Sequence, residues 1–293
     1  MSTDLPTVEL SSGTVIPQLG LGVWQAEDAE TEHAVRYAIA EAGYRHIDTA
    51  AAYGNEAAVG RAIATSGVPR DEVFVTTKLW NADHGRDRAL AAVDASLDRL
   101  GLDHVDLYLI HWPLQDERRL IETWQTLIEI RDTGKARAIG VSNFEPHHLS
   151  LVIDNSDVVP AVNQVELHPR HAQRGLRAFC ADRGIAVESW SPLGGSGSGW
   201  GADSRPNTLL DEPVLARIAE RHGVTPAQVI IRWHLQSGLI VIPKSVHDER
   251  IAANIDVLDL ELTSDDLAEI AALDTGERTG AHPDDLSLGA PED

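Results

Sequence analysis

Short apolar runs and helix-spaced stripes alternate along nearly the whole of this chain, and that rhythm limits the folds open to it. Strands are expected over 19–23, 46–48, 73–77, 106–110, 136–141, 161–166, 186–189 and 239–242. Helical patterns lie between them. Ala34, Tyr37, Ala38 and Ala42 form one stripe over 29–41, and Leu90, Val93, Leu97 and Leu100 form another over 88–100. Leu120, Trp124, Leu127 and Ile128 repeat the spacing over 117–131. Further helices are expected over 56–65, 146–153, 173–183, 212–222, 226–236 and 248–254, and Thr263-Ser264-Asp265-Asp266 reads as the cap of another. Eight strands in this rhythm over 293 residues predict an α/β fold, a single (β/α)8 TIM barrel domain with a core over 8–274 and a tail over 275–293. Val8-Glu9-Leu10 and Thr14-Val15-Ile16 around Ser11-Ser12-Gly13 predict an N-terminal β-hairpin. The Gly/Ser-rich run from Gly194 to Gly199 opens a long segment reaching about Asp211, read as a mobile lid at the C-terminal rim. The tail is polar and is expected to lie across the surface.

Four polar residues stand where the early strands end. Asp48 closes one run, with Tyr53 in the loop beyond it, Lys78 closes the next and His111 the one after. In a parallel sheet they converge on the rim where such folds keep their chemistry. A free phenol is a poor acid at neutral pH, and a neighbouring ammonium lowers its pKa. Lys78 can supply that charge, Asp48 can hold Lys78, and His111 can orient a substrate oxygen. Tyr53 then serves as general acid for a carbonyl becoming an alcohol. The hydride must come from a cofactor. Singly, each residue has a plainer reading: a cross-strand ion pair, a loop aromatic, a satisfied histidine. Their shared position at strand ends favours catalysis.

Other chemistry fits less well. There is no His-x-His pair, and Pro169 interrupts His168 and His171, so no metal is expected. No Walker loop or Gly-x-Ser-x-Gly elbow occurs, and Gly20-Leu21-Gly22 lacks the third glycine of a Rossmann fingerprint. Lys plus Arg number 24 against 46 Asp plus Glu, a net charge of −22, which disfavours nucleic acid and anionic membrane as partners. No apolar run nears membrane-span length, the start does not read as a secretory signal, and Cys180 is the single cysteine, in a helical apolar stretch that should bury it. A cytoplasmic setting is expected.

Asp48-Thr49-Ala50-Ala51-Ala52-Tyr53-Gly54-Asn55-Glu56, Gly140-Val141-Ser142-Asn143-Phe144 and Ile242-Pro243-Lys244-Ser245-Val246, with Arg250 and Asn254, resemble the three signatures of the aldo-keto reductases. Thr77-Lys78-Leu79-Trp80 and Ile110-His111-Trp112-Pro113 supply the other matching positions, and the resemblance runs from about Val8 to Asp274. Within the family the chain is most similar to the prokaryotic branch containing 2,5-diketo-D-gluconate reductases. The resemblance implies an NADPH-dependent oxidoreductase reducing aldehydes and ketones, with Asp48, Tyr53, Lys78 and His111 catalytic. It implies that Ser142, Asn143 and Gln164 bind the nicotinamide carboxamide and that Trp190 stacks on its ring. Ser191, Leu193 and Gly194 would meet the pyrophosphate, and Lys244, Ser245, Val246, Arg250 and Asn254 the adenosine end. Lys244 and Arg250 favour NADPH, because both can pair with a 2′-phosphate. Ala253 stands where many relatives have glutamate. Trp24, Trp80 and Trp112, with His111, would line the pocket for a small carbonyl substrate, a diketo sugar acid among the candidates. A monomer is expected. The competing readings are a non-catalytic cofactor-binding barrel of the same family and a Schiff-base barrel using Lys78.

Overall fold

The computed structural model describes residues 5–195 and 206–285. A two-stranded antiparallel hairpin, β1 (Thr7–Glu9) and β2 (Val15–Pro17), precedes eight parallel strands. These are β3 (Leu21–Gly22), β4 (His46–Asp48), β5 (Phe74–Leu79), β6 (Val105–Ile110), β7 (Ala136–Ser142), β8 (Val162–Glu166), β9 (Ala186–Trp190) and β10 (Ile240–Val241), hydrogen-bonded in sequence order. The sheet curls until its edges meet. Leu19 bridges Val241 and Gly22 bridges Lys244, both in parallel, and Gly20 N–H donates to Val241 O at 2.9 Å.

Helices cover the outside. They are α1 (Asp28–Tyr37), α2 (Glu56–Thr65), α3 (Arg86–Leu100), α4 (Glu117–Asp132), α5 (Pro146–Asp154), α6 (Arg174–Ala181), α7 (Pro213–His222), α8 (Pro226–Gln236), α9 (Asp248–Ile255) and α10 (Ser264–Ala271). Strand alternation divides the core. Tyr108 and Ile110 of β6 face the helix-covered layer, whereas Leu107 and Leu109 join an inner cluster with Ala138, Val162 and Ile240. Leu10 and Ile16 of the hairpin pack into that inner cluster beside Phe74, the first residue of β5. The hairpin therefore closes the end where the strands begin, and the opposite rim is left for chemistry.

The boundaries depart from the periodic pattern in understandable ways. The single helix expected over 29–41 ends at Tyr37 and widens into a π-turn, Ala38–Ala42, released by left-handed Gly43. The strand expected to stop at Thr77 runs on through Lys78 to Leu79, because both residues stay in register with Leu109 and Ile110 of β6. The lid expected from Gly194 to about Asp211 lies largely outside the described residues. Among those described, no helix is long and apolar enough to cross a membrane.

Candidate active site

Asp48 is the last residue of β4, Lys78 the penultimate one of β5, and His111 follows β6 directly. Tyr53 ends a 3-10 turn, Ala51–Tyr53, that packs against β5 and is released by left-handed Gly54. The Lys78 ammonium donates to Asp48 Oδ1 at 2.6 Å, to Thr49 O at 2.9 Å and to Tyr53 Oη at 3.3 Å. An ammonium has three protons, so this one is fully engaged. Both ends of the ion pair are buried, and such a pair persists only when its geometry is this well satisfied. Burial works against the charge on Lys78, but Asp48, Tyr53 and Glu188 outweigh it and raise its pKa.

The rings of His111 and Tyr53 meet edge to face at 5.6 Å, and Trp80 flanks His111 at 5.3 Å. Burial, then the Lys78 charge, holds the His111 imidazole well below its ordinary pKa, so it is neutral at pH 7. Tyr53 differs from expectation. Its phenol is pushed up to about 12 because burial outweighs the opposing pull of Lys78. The hydroxyl therefore keeps its proton at neutral pH.

Beneath this group lies a residue that the strand pattern did not single out. Gln164 of β8 donates from Nε2 to Asp48 Oδ2 and to Glu188 Oε2, both at 2.8 Å. Glu188 is wholly buried on β9, and burial, then the charge of Asp48, raises it to about 8. Its other oxygen lies 3.6 Å from His46 Nε2, an imidazole kept neutral by burial. The signal was present as one acid within the apolar run Ala186-Val187-Glu188-Ser189. Because Gln164 spends its amide protons on two carboxyl groups, it has its carbonyl oxygen to offer a ligand.

Across the rim, Ser142 ends β7 and Asn143 adopts a left-handed φ of 65°. Ser142 Oγ donates to Gln164 O at 2.8 Å, and Asn143 Nδ2 donates to His111 O at 2.9 Å. Trp190, at the end of β9, donates from its indole to Asn143 Oδ1 at 2.8 Å. Ser191 turns the chain with φ 48°, and Asn207 Nδ2 donates to the carbonyls of Leu193 and Gly194 at 2.9 and 2.7 Å. Val246 and Arg250 line a pocket with His33, His247, Asp248 and Glu249, while Ser245 and Asn254 are buried beside it. Asp248 pairs with His33 at 2.8 Å, whereas the exposed Lys244 and Arg250 make no ion pair among the described residues. Two uncommitted cations at that edge suit a bound phosphate.

Trp24 is half-buried in the loop after β3, and Trp80, Trp112 and Trp190 pack with Ala281. The tail lies across the surface as expected and there roofs these tryptophans, for a physical reason. Glu166 at the end of β8 accepts from Thr279 N–H and Oγ–H, both at 2.6 Å, and from Gly280 N–H at 2.9 Å. These donors, with His168, overcome burial and hold its carboxyl down at about 2. A Cβ on Gly280 would lie 2.5 Å from the Trp190 ring, so only glycine lets the backbone pass there. His168 itself is committed to Glu166 at 3.1 Å. Cys180 is buried, and burial pushes its thiol up to about 11.

The sequence profile of the Aldo/keto reductase family matches residues 17–275. The chain belongs to that family. Among its relatives, an aldo-keto reductase of Mycolicibacterium smegmatis is 55% identical over 95% of this chain and 97% of its own length. The methylglyoxal reductase DkgA of Escherichia coli K12 is 51% identical, covering 95% and 98% of the two chains. The crystal structure of a Gox0644 mutant in complex with NADPH superposes on this aldo-keto reductase with a TM-score of 0.89 at 43% identity, over 97% of this chain and all of the other.

Proposed function

We propose that this aldo-keto reductase reduces small aldehydes and ketones to alcohols with NADPH, on one (β/α)8 barrel domain spanning about 8–274. The observation that carries the reading is the Lys78 ammonium, which joins Asp48 and the Tyr53 hydroxyl in one buried hydrogen-bonded group. A reductase-named relative from Escherichia coli and an NADPH-bound structural relative support it.

A bound NADPH supplies the hydride. Ser142, Asn143, Gln164 and Trp190 would hold its nicotinamide end and Ser191, Leu193 and Gly194 its pyrophosphate. Lys244, Ser245, Val246, Arg250 and Asn254 would hold the adenosine end. Neutral His111 orients the substrate oxygen by donating a hydrogen bond, and Trp24, Trp80 and Trp112 wall the pocket. Tyr53 donates its proton as the carbonyl oxygen gains charge, and Lys78, fixed by Asp48, stabilises the phenolate left behind. The engaged ammonium argues against a Schiff-base role, which needs a neutral amine.

Tyr53→Phe tests the reading. It removes one oxygen and keeps the ring, so turnover of methylglyoxal should fall by at least about a hundredfold. NADPH binding, read by quenching of Trp190 fluorescence, should stay near the wild-type value. Full turnover in the variant would remove Tyr53 from the chemistry.

A further inference from the structure

The tail is also held at the start of α5, where Arg278 donates to Glu145 at 3.0 Å. His147 and His148 stand side by side in the first turn of α5, their ring centroids 3.9 Å apart. Both direct Nε2 toward one oxygen of Asp284 in the tail, His147 at 3.3 Å and His148 at 3.4 Å. These separations sit at the outer limit for a hydrogen bond. They match the edge, about 3.4 Å, of a tetrahedron whose corners lie about 2.1 Å from a central zinc ion. The three ligand atoms lie within 4.8 Å of one another.

We propose that His147, His148 and Asp284 form a three-ligand site for a divalent transition metal such as Zn2+, which clasps the tail to the start of α5. The donor set selects the ion. Two imidazoles and one carboxylate suit zinc, nickel or copper, and they suit calcium or magnesium poorly. With three protein ligands, the fourth position is left to water.

Binding would break one hydrogen bond at the start of α5 and would be braced by another in the tail. His148 Nδ1 accepts from Glu145 N–H at 3.2 Å, and coordination through Nε2 moves the remaining ring proton to Nδ1. That hydrogen bond is given up, so binding is expected to be reversible rather than structural. On the tail side, His282 Nδ1 accepts from Asp284 N–H at 3.2 Å, which holds the turn that presents Asp284. One residue before His282, Ala281 packs against Trp112. An ion here would therefore tighten the roof of the candidate active site without touching its chemistry.

The test is isothermal titration of the tag-free full chain with zinc chloride, paired with hydrogen–deuterium exchange of residues 278–285. Asp284→Asn and His147→Ala are the variants, because both positions are largely exposed and neither side chain caps α5. The expected result is one saturable zinc per chain, weakened about tenfold or more in either variant. Zinc should slow exchange of the tail in the wild type and not in the variants. No saturable binding, or binding unchanged in both variants, overturns the site. Saturable binding that leaves tail exchange unaltered overturns the clasp. Neither readout uses turnover, so the outcome is independent of the proposed reduction.

Discussion

Glu188→Gln isolates the acid beneath the candidate active site. In the folded chain Glu188 titrates near 8 rather than its ordinary 4.5, chiefly through burial. Because the folded pKa is raised, the folded state binds the extra proton. Its contribution to stability is complete below about 4.5 and is lost as pH rises through 8. One pH unit between those limits costs about 1.4 kcal/mol, so the wild type should lose about 3 kcal/mol from this group between pH 5 and pH 8. Glutamine keeps an acceptor for Gln164 and cannot ionise. The variant and the wild type should thus be of similar stability at pH 5, and the variant should be more stable by about 3 kcal/mol at pH 8. Urea unfolding at half-unit steps of pH measures the difference, in which titrating groups remote from Glu188 cancel while Asp48, coupled to it, does not. A difference that does not change with pH, or one that favours the wild type as pH rises, would refute the assignment of a neutral, buried Glu188.

Three further outcomes are expected. Glu166→Gln should destabilise at neutral pH by up to about 3 kcal/mol. Its depressed pKa means that this stabilisation is present above about 4.5 and fades as pH falls toward 2, so unfolding at pH 7 and pH 3 checks the sign. Arg250→Ala should weaken NADPH by about tenfold or more and NADH far less, as read by fluorescence titration; equal losses would show that Arg250 does not face the 2′-phosphate. Gly60→Ala should lower stability by about 2 kcal/mol or more, because its Cβ would collide with the backbone carbonyl of Leu100, where α2 crosses the end of α3. An unchanged melting temperature in that variant would show that the two helices can part freely.

The alternation of apolar runs with helical stripes was enough to place strands and helices in order, because each βα unit buries its own apolar face locally. Asp48, Lys78 and His111 could be read as neighbours from their positions at strand ends, since parallel strands in register bring such ends together. Glu188 was hidden for the opposite reason. Its partners Gln164 and Asp48 lie on strands 24 and 140 residues earlier, and one acid in an apolar run gives no hint of which strand will face it. The lowering pull of Lys78 on Tyr53 is present as expected, but the sequence does not show the depth of burial that outweighs it. Where on the surface the tail docks is not legible in the sequence, because its anchor is a single carboxylate 113 residues before Thr279.

That roof has a consequence for how the molecule is made. Among the contacts of residues 278–285 are hydrogen bonds with Glu145, Glu166 and Gln115, partners 133, 113 and 169 positions earlier. Contacts at such separation form late and cannot begin until the tail has left the ribosome. The sheet, with Asp48, Lys78 and His111 already in place, can be assembled before any of them exists. A chain cut after residue 275 should therefore still build a reducing centre, but one with its tryptophan-lined mouth open to water.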